Sequence, residues 1–207
     1  MCGRYVVTNA VTKTKGLVKS AIQIEDNENY NAHPYQNLPV IKKYTNGSAL
    51  EKLKWGIVPS RSKKKDFKPL INSRLETIDE KISFKKLIKL KRCIAIADGF
   101  YEWKRTEKEK KPFFFQRQDK KTIYFAGIYD ENEFCLITEQ ASENLLAIHH
   151  RQPVILNQKD LKSYLDLQLD GSAFLKEAKK PRLEFYEVSK DVNKPTNNSV
   201  SLIQKFN

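Results

Sequence analysis

The 207-residue sequence predicts an α+β domain built on a central, mainly antiparallel, barrel-like β-sheet with a few peripheral helices. Three observations carry that expectation. Short runs rich in Ile, Val, Phe and Tyr recur with polar or Pro/Gly breaks between them; helical apolar spacing is confined to a few segments; and strands do not alternate regularly with helices as a parallel βαβ sheet requires. In chain order, strands are expected at 4–7, 38–41, 53–58, 93–97, 113–116, 123–128, 134–138, 153–156 and 183–188. Helices are expected at 83–91, where Phe84, Leu87, Ile88 and Leu90 form an apolar stripe behind Ser83, and at 142–148, 160–167 and 172–179. No repeat or long linker divides the chain, so residues 1–207 read as one domain, and the polar residues 193–207 read as a loosely ordered tail.

The formal net charge is +13, from 38 Lys and Arg against 25 Asp and Glu. Such an excess attracts polyanions, of which nucleic acid is the commonest in a cytosol. Lysine runs such as Lys63-Lys64-Lys65 and Lys108 to Lys111 suit a solvated face equally well, so charge alone leaves both readings open. The three cysteines, Cys2, Cys93 and Cys135, are far apart and form no CxxC pair, which argues against a disulfide framework or zinc ribbon and for a reducing, cytoplasmic setting. There is no apolar leader and no stretch long enough to span a membrane. No HExxH or Cys/His cluster is present, so neither a metal nor another cofactor is expected.

Cys2 follows the initiator methionine in Met1-Cys2-Gly3-Arg4-Tyr5. If Met1 is removed, Cys2 carries an α-amino group and a thiol on neighbouring carbons. With ordinary pKa values of about 7.7–8.0 and about 8.5, both are partly deprotonated near neutral pH. An aldehyde gives an imine with the amine, and the thiol then closes a five-membered thiazolidine in an intramolecular step. The alternative is a small apolar filler. In Asp98-Gly99-Phe100-Tyr101-Glu102-Trp103, a carboxylate sits between two aromatic residues after an apolar strand: either partly desolvated and able to move protons near neutral pH, or an edge-strand Glu in water. His149 and His150, two of three histidines, enter an apolar strand, where one is either an acid/base or a structural hydrogen-bonding group. In Asn72-Ser73-Arg74-Leu75-Glu76-Thr77, the Asn and Arg suit a sugar-phosphate ligand, but they also suit a turn in which Glu76 caps a helix. Trp55, in Trp55-Gly56-Ile57-Val58-Pro59, reads equally as core or as a base-stacking platform.

Taken in order, these segments, with Tyr30-Asn31-Ala32-His33-Pro34, Thr138, His149-His150-Arg151-Gln152-Pro153-Val154-Ile155-Leu156 and Val188-Ser189, resemble the SRAP family, named from "SOS response-associated peptidase", over almost the whole chain. The resemblance implies a single α+β domain with a positively charged cleft for single-stranded DNA, and an activity that traps abasic sites, whose ring-opened sugar is an aldehyde. Carried over by motif, Cys2 is the nucleophile, Asn72 holds the sugar near the cross-link, Glu102 moves protons during imine formation and ring closure, and His149 is acid/base on the sugar. Arg4 and Arg74 hold phosphates; Pro34, Trp55 and Trp103 are stacking or wedging contacts; Thr138 is a backbone contact. The sequence departs from the family pattern at Ser73, His150 and Gln152, at His33 beside Pro34, and at Arg61, where a Trp is common. The implied partner is single-stranded DNA containing abasic sites, engaged by a monomer with no metal and no membrane, at the nucleoid or, in a eukaryote, in the nucleus.

Three functions are therefore weighed. The first is a covalent abasic-site cross-linker with a β-eliminating lyase side reaction. The second is a thiol peptidase that uses Cys2 on amides, including its own N-terminus. The third is a non-covalent nucleic-acid binding module, whose affinity would fall steeply with salt and ignore Cys2.

Overall fold

The computed structural model describes residues 2–59 and 67–206; Met1, Arg61 and the Lys63-Lys64-Lys65 run lie outside them. Its strands are β1 (Tyr5–Thr8), β2 (Ser20–Ala21), β3 (Glu28–Ala32), β4 (Asn37–Tyr44), β5 (Gly47–Trp55), β6 (Asn72–Arg74), β7 (Arg92–Ala97), β8 (Gly99–Arg105), β9 (Lys110–Arg117), β10 (Ile123–Asp130), β11 (Glu133–Gln140), β12 (Arg151–Pro153), β13 (Ile155–Leu156) and β14 (Leu183–Glu187). The helices are short: α1 (Ala10–Thr14), α2 (Leu87–Leu90), α3 (Glu143–Leu146), α4 (Leu161–Leu165) and α5 (Gly171–Glu177).

The larger sheet runs β12-β11-β10-β7-β4-β5-β2. A parallel pairing of Lys54 and Trp55 with Glu133 and Phe134 joins β5 back to β11, so β11, β10, β7, β4 and β5 close into a ring. Closure removes the exposed edges that an open sheet would offer for pairing with another chain. A second sheet, β14-β9-β8-β1-β3, is antiparallel and packs its Phe100, Phe113, Phe115 and Phe185 rings together. The chain passes from one sheet to the other at Asp98-Gly99. There the Asp98 carboxylate accepts from the Thr8 N–H and hydroxyl at 2.8 Å each and pairs with Lys13. Gly99 is required at this crossing, because a Cβ there would stand 2.5 Å from the Phe115 carbonyl oxygen and 2.2 Å from the Phe114 ring.

The α+β expectation holds, and every expected strand is present, several of them longer than the apolar run alone indicates. The expected helix at 83–91 is a turn leading into the four residues of α2; Phe84, Leu87 and Ile88 are buried as predicted, but Leu90 faces solvent.

Two expectations are corrected. The segment after residue 193 is not a loose tail. Val200–Ile203 forms a 3-10 turn, and Leu202 is buried with Val192, Val188, Val6, Tyr101 and Phe114 in a small second core. Asn31 fastens this segment, its side-chain amide donating to the carbonyls of Lys194 at 3.0 Å and Asn197 at 2.8 Å, while Asn198 accepts from the Tyr30 N–H at 2.7 Å. Polar composition misleads here because the asparagines satisfy backbone groups rather than solvating the chain.

Trp55, the candidate stacking platform, is fully buried. Its ring packs 5.1 Å from Tyr5 and 6.3 Å from Phe134, and its Nε1–H donates to the Ile71 carbonyl at 2.9 Å, so no face is left for a base. Trp55→Ala is expected to cost about 3–5 kcal/mol through cavity formation. Trp55→Phe should recover most of that loss. Melting temperatures of both variants check this; a Trp55→Ala protein as stable as wild type would contradict the assignment.

Candidate active site

Cys2 lies just before β1, is fully buried, and has its Sγ 4.0 Å from the Arg4 carbonyl oxygen. Burial pushes its thiol well above the ordinary range, and the nearby Glu102 carboxylate pushes it further, so at rest the sulfur is protonated. Asn72 opens β6, which is held in the ring sheet by parallel pairing of Leu136, Ile137 and Thr138 with residues 72–74. Its Nδ2 donates to the Cys2 carbonyl at 2.9 Å, tying the N-terminal segment to the ring. Its Oδ1 is a buried acceptor with no hydrogen-bond partner among the described residues. Such an orphan is costly unless a ligand hydroxyl or ammonium completes it.

Glu102 comes from β8 in the second sheet and is 3% exposed. Desolvation raises its carboxyl above the usual carboxylate range, which favours the desolvated of the two alternatives over an edge-strand Glu in water. His149 precedes β12. Its Nδ1 lies 3.0 Å from the Arg151 N–H and 3.2 Å from the Arg151 carbonyl oxygen, so the Arg151 backbone holds the ring through Nδ1 in either neutral tautomer. Burial lowers the pKa of His149, so the ring is neutral at neutral pH.

Glu102 and His149 line one open cleft of about 440 Å³ together with Arg4, Trp103, Arg105, Lys110 and Asn193. His150 stacks on His149 with ring centroids 4.4 Å apart but lines a neighbouring hollow with Arg74 and Arg151. Of the two histidines, His149 is the one that shares a cleft with Glu102.

Other expected residues divide clearly. Arg4 is in the cleft, anchored by Nη1–H bonds to Asn31 Oδ1 at 2.6 Å and the Val192 carbonyl at 2.7 Å. Trp103 is there too, half-buried, donating from Nε1 to Asn193 Oδ1 at 2.7 Å. Arg74 is exposed. Pro34 is half-buried beside an exposed Tyr35 held at φ 76°, and its carbonyl lies 2.9 Å from His33 Nδ1. Thr138 is corrected: it is fully buried, donates to the Ser73 carbonyl at 3.2 Å and accepts at its own carbonyl from Arg151 at 2.8 Å, so it braces the site from behind.

Three features escaped the sequence reading. Glu76, read as a possible cap, grips Arg151 through two bonds of 2.8 Å and so fixes the backbone that orients His149. Asn193 closes the cleft from the C-terminal segment. Arg105 and Lys110, directly opposed in the β8–β9 register, add positive charge to the rim. Alternation along a predicted β8–β9 hairpin could have exposed this last pair. Among the described residues no group of three or more His, Cys, Asp or Glu side chains is arranged to hold a metal ion, and no helix is long and apolar enough to cross a membrane.

A buried second-residue cysteine near a buried carboxylate, which together with a neutral histidine lines a cationic cleft between a ring sheet and a smaller sheet, defines an α+β protein with a candidate nucleophile near its N-terminus. The chain belongs to the SRAP family: the family model described as "SOS response associated peptidase (SRAP)" matches residues 1–195. It is 33% identical to abasic site processing protein YoqW of Bacillus subtilis over 99% of each chain, and 30% identical to abasic site processing protein YedK of Escherichia coli over 99% of each. Chicken abasic site processing protein HMCES is 33% identical over 66% of this chain and 53% of its own length. In fold it resembles a crystal structure from Bacteroides thetaiotaomicron, with a TM-score of 0.83, 22% identity and coverage of 99% and 100% of the two chains.

Proposed function

We propose that this chain, once Met1 is removed, binds single-stranded DNA and traps abasic sites as a covalent thiazolidine on Cys2. The observation that carries the reading is the Asn72 bond to the Cys2 carbonyl, which sets a buried thiol beside the raised carboxyl of Glu102. The relatives named for abasic-site processing support the same substrate.

In this reading the closed sugar opens first. His149, neutral at rest, relays the proton: the C1′ hydroxyl gives up its proton as the ring oxygen gains one, the bond between C1′ and the ring oxygen breaks, and the aldehyde is freed with the imidazole back in its starting state. The Cys2 amine adds to C1′ to give a carbinolamine, and loss of water gives the imine. The thiol then adds to the imine carbon: a C–S bond forms, the sulfur proton passes through Glu102, and the nitrogen gains a proton. Net, one aminothiol and one aldehyde give one thiazolidine and one water. The unfilled Oδ1 of Asn72 accepts a hydrogen bond from the sugar or the ring nitrogen. Arg4, Arg105 and Lys110 on one rim and Arg74 beyond His150 supply phosphate contacts.

The test is a denaturing gel of the protein with an oligonucleotide carrying one abasic site, beside the same oligonucleotide intact. A shifted, heat-tolerant band is expected with the first substrate alone. Its mass should equal the protein without Met1 plus the oligonucleotide less one water, and it should persist without borohydride. No adduct from protein confirmed to begin at Cys2 would overturn the reading and leave a peptidase or a non-covalent binding module.

A further inference from the structure

A second cavity of about 440 Å³ shares no lining residue with the cleft of Glu102 and His149. It opens between the β4–β5 hairpin and α4. Its walls are aliphatic, with Leu17, Val18, Ile41, Leu161 and Leu165. Gly16 and Gly47, both at positive φ, line it as well. Gly47 stands at φ 130°, a backbone conformation that L side chains rarely adopt.

Its charge is lopsided. Lys19, Lys43 and Lys162 line the cavity against a single carboxylate, Asp166, which lies 3.6 Å from Lys43. Among the described residues, Lys19 and Lys162 have no ion-pair partner. The three lysines come from different segments, the approach to β2, the end of β4 and α4, so their ammonium groups are not focused on one point. An anion with a single head group would meet one of them; a chain with several carboxylates would meet all three. Nucleic acid fits poorly, since bases stack on aromatic or guanidinium planes and the cavity lining contains neither. We infer that this cavity docks an acidic peptide segment of a partner protein, with a bulky apolar side chain seated among the leucines and its carboxylates on the lysines.

The probe is a fluorescein-labelled peptide, Asp-Asp-Asp-Leu-Phe-Leu, followed by fluorescence anisotropy on the full chain. Saturable binding is expected, weakened at least about tenfold by the exposed double charge reversal Lys19→Glu, Lys162→Glu, as the loss of two favourable rim contacts and the gain of two repulsive ones implies. A peptide with Ser in place of its three apolar residues should bind at least about tenfold more weakly. Abasic-site adduct formation by the double variant should match wild type. The inference is overturned if the peptide shows no saturable binding, if the double variant binds it as well as wild type, or if the serine peptide binds equally, since the net charge of +13 would then account for the attraction. Displacement of the peptide by oligothymidine equally in wild type and double variant would also overturn it, by placing the peptide in the DNA cleft.

Discussion

Cys2→Ala is expected to abolish the heat-tolerant adduct while leaving binding to single-stranded DNA intact. The alanine variant keeps an N-terminal amine, so it can still form an imine at C1′, but with no thiol the intermediate cannot close and hydrolyses on heating. Borohydride should therefore trap the variant covalently, whereas wild type needs no reductant. An open imine also acidifies the C2′ proton, and its loss expels the 3′ phosphate by β-elimination. Strand cleavage should accordingly rise in Cys2→Ala and in Cys2→Ser as the stable adduct falls. Because Cys2 is fully buried, loss of its sulfur leaves a small void, costing on the order of 1 kcal/mol, which leaves the domain folded. Undiminished adduct in Cys2→Ala would end the thiazolidine reading. Loss of DNA binding along with the adduct would instead make Cys2 a structural residue of the cleft.

The sheet was legible wherever strands carry aromatic and β-branched runs, as in 93–97 and 123–128, because a strand buried on both faces has no polar positions to disguise it. It was illegible where pairing is imposed from outside. Residues 72–74, Asn-Ser-Arg, have no strand propensity of their own and become β6 only because β11 pairs with them. Ring closure through β5 and β11 joins residues some eighty positions apart, which no local pattern encodes. Trp55 is instructive in the opposite sense: an aromatic beside Gly and Pro looks the same in sequence whether it faces DNA or the core, and only burial decides it. The C-terminal segment did carry a signal, since Val188, Val192 and Leu202 are apolar anchors within a polar stretch. Of the candidate site, Cys2, Asn72, Glu102 and His149 were singled out by the family resemblance; the contacts that support them were not. The Glu76–Arg151 grip and the Asn193 wall depend on contacts across 75 and 90 positions of chain.

Glu102→Gln should slow adduct formation by about 100-fold, the lower end of what a positioned acid/base supplies. The change is nearly isosteric and keeps a hydrogen-bonding side chain, so the loss reports proton transfer rather than packing. The pH dependence gives a second, independent readout. Burial raises the Glu102 carboxyl above its ordinary value of about 4.3, so the basic form that accepts the thiol proton appears only at higher pH than for an exposed Glu. The acid limb of the rate profile of wild type should therefore lie above that value and be missing from Glu102→Gln. Stability should move the other way. A carboxyl whose folded pKa exceeds its unfolded value binds its proton more tightly when folded, so wild type loses stability as pH rises from the unfolded pKa through the folded one. The glutamine variant has no such loss and should melt no lower than wild type at neutral pH. A variant that is both slow and markedly less stable would mean that the buried carboxylate braces the junction of the two sheets. A variant with an unchanged rate and an unchanged acid limb would remove Glu102 from the proton path and leave that transfer to His149.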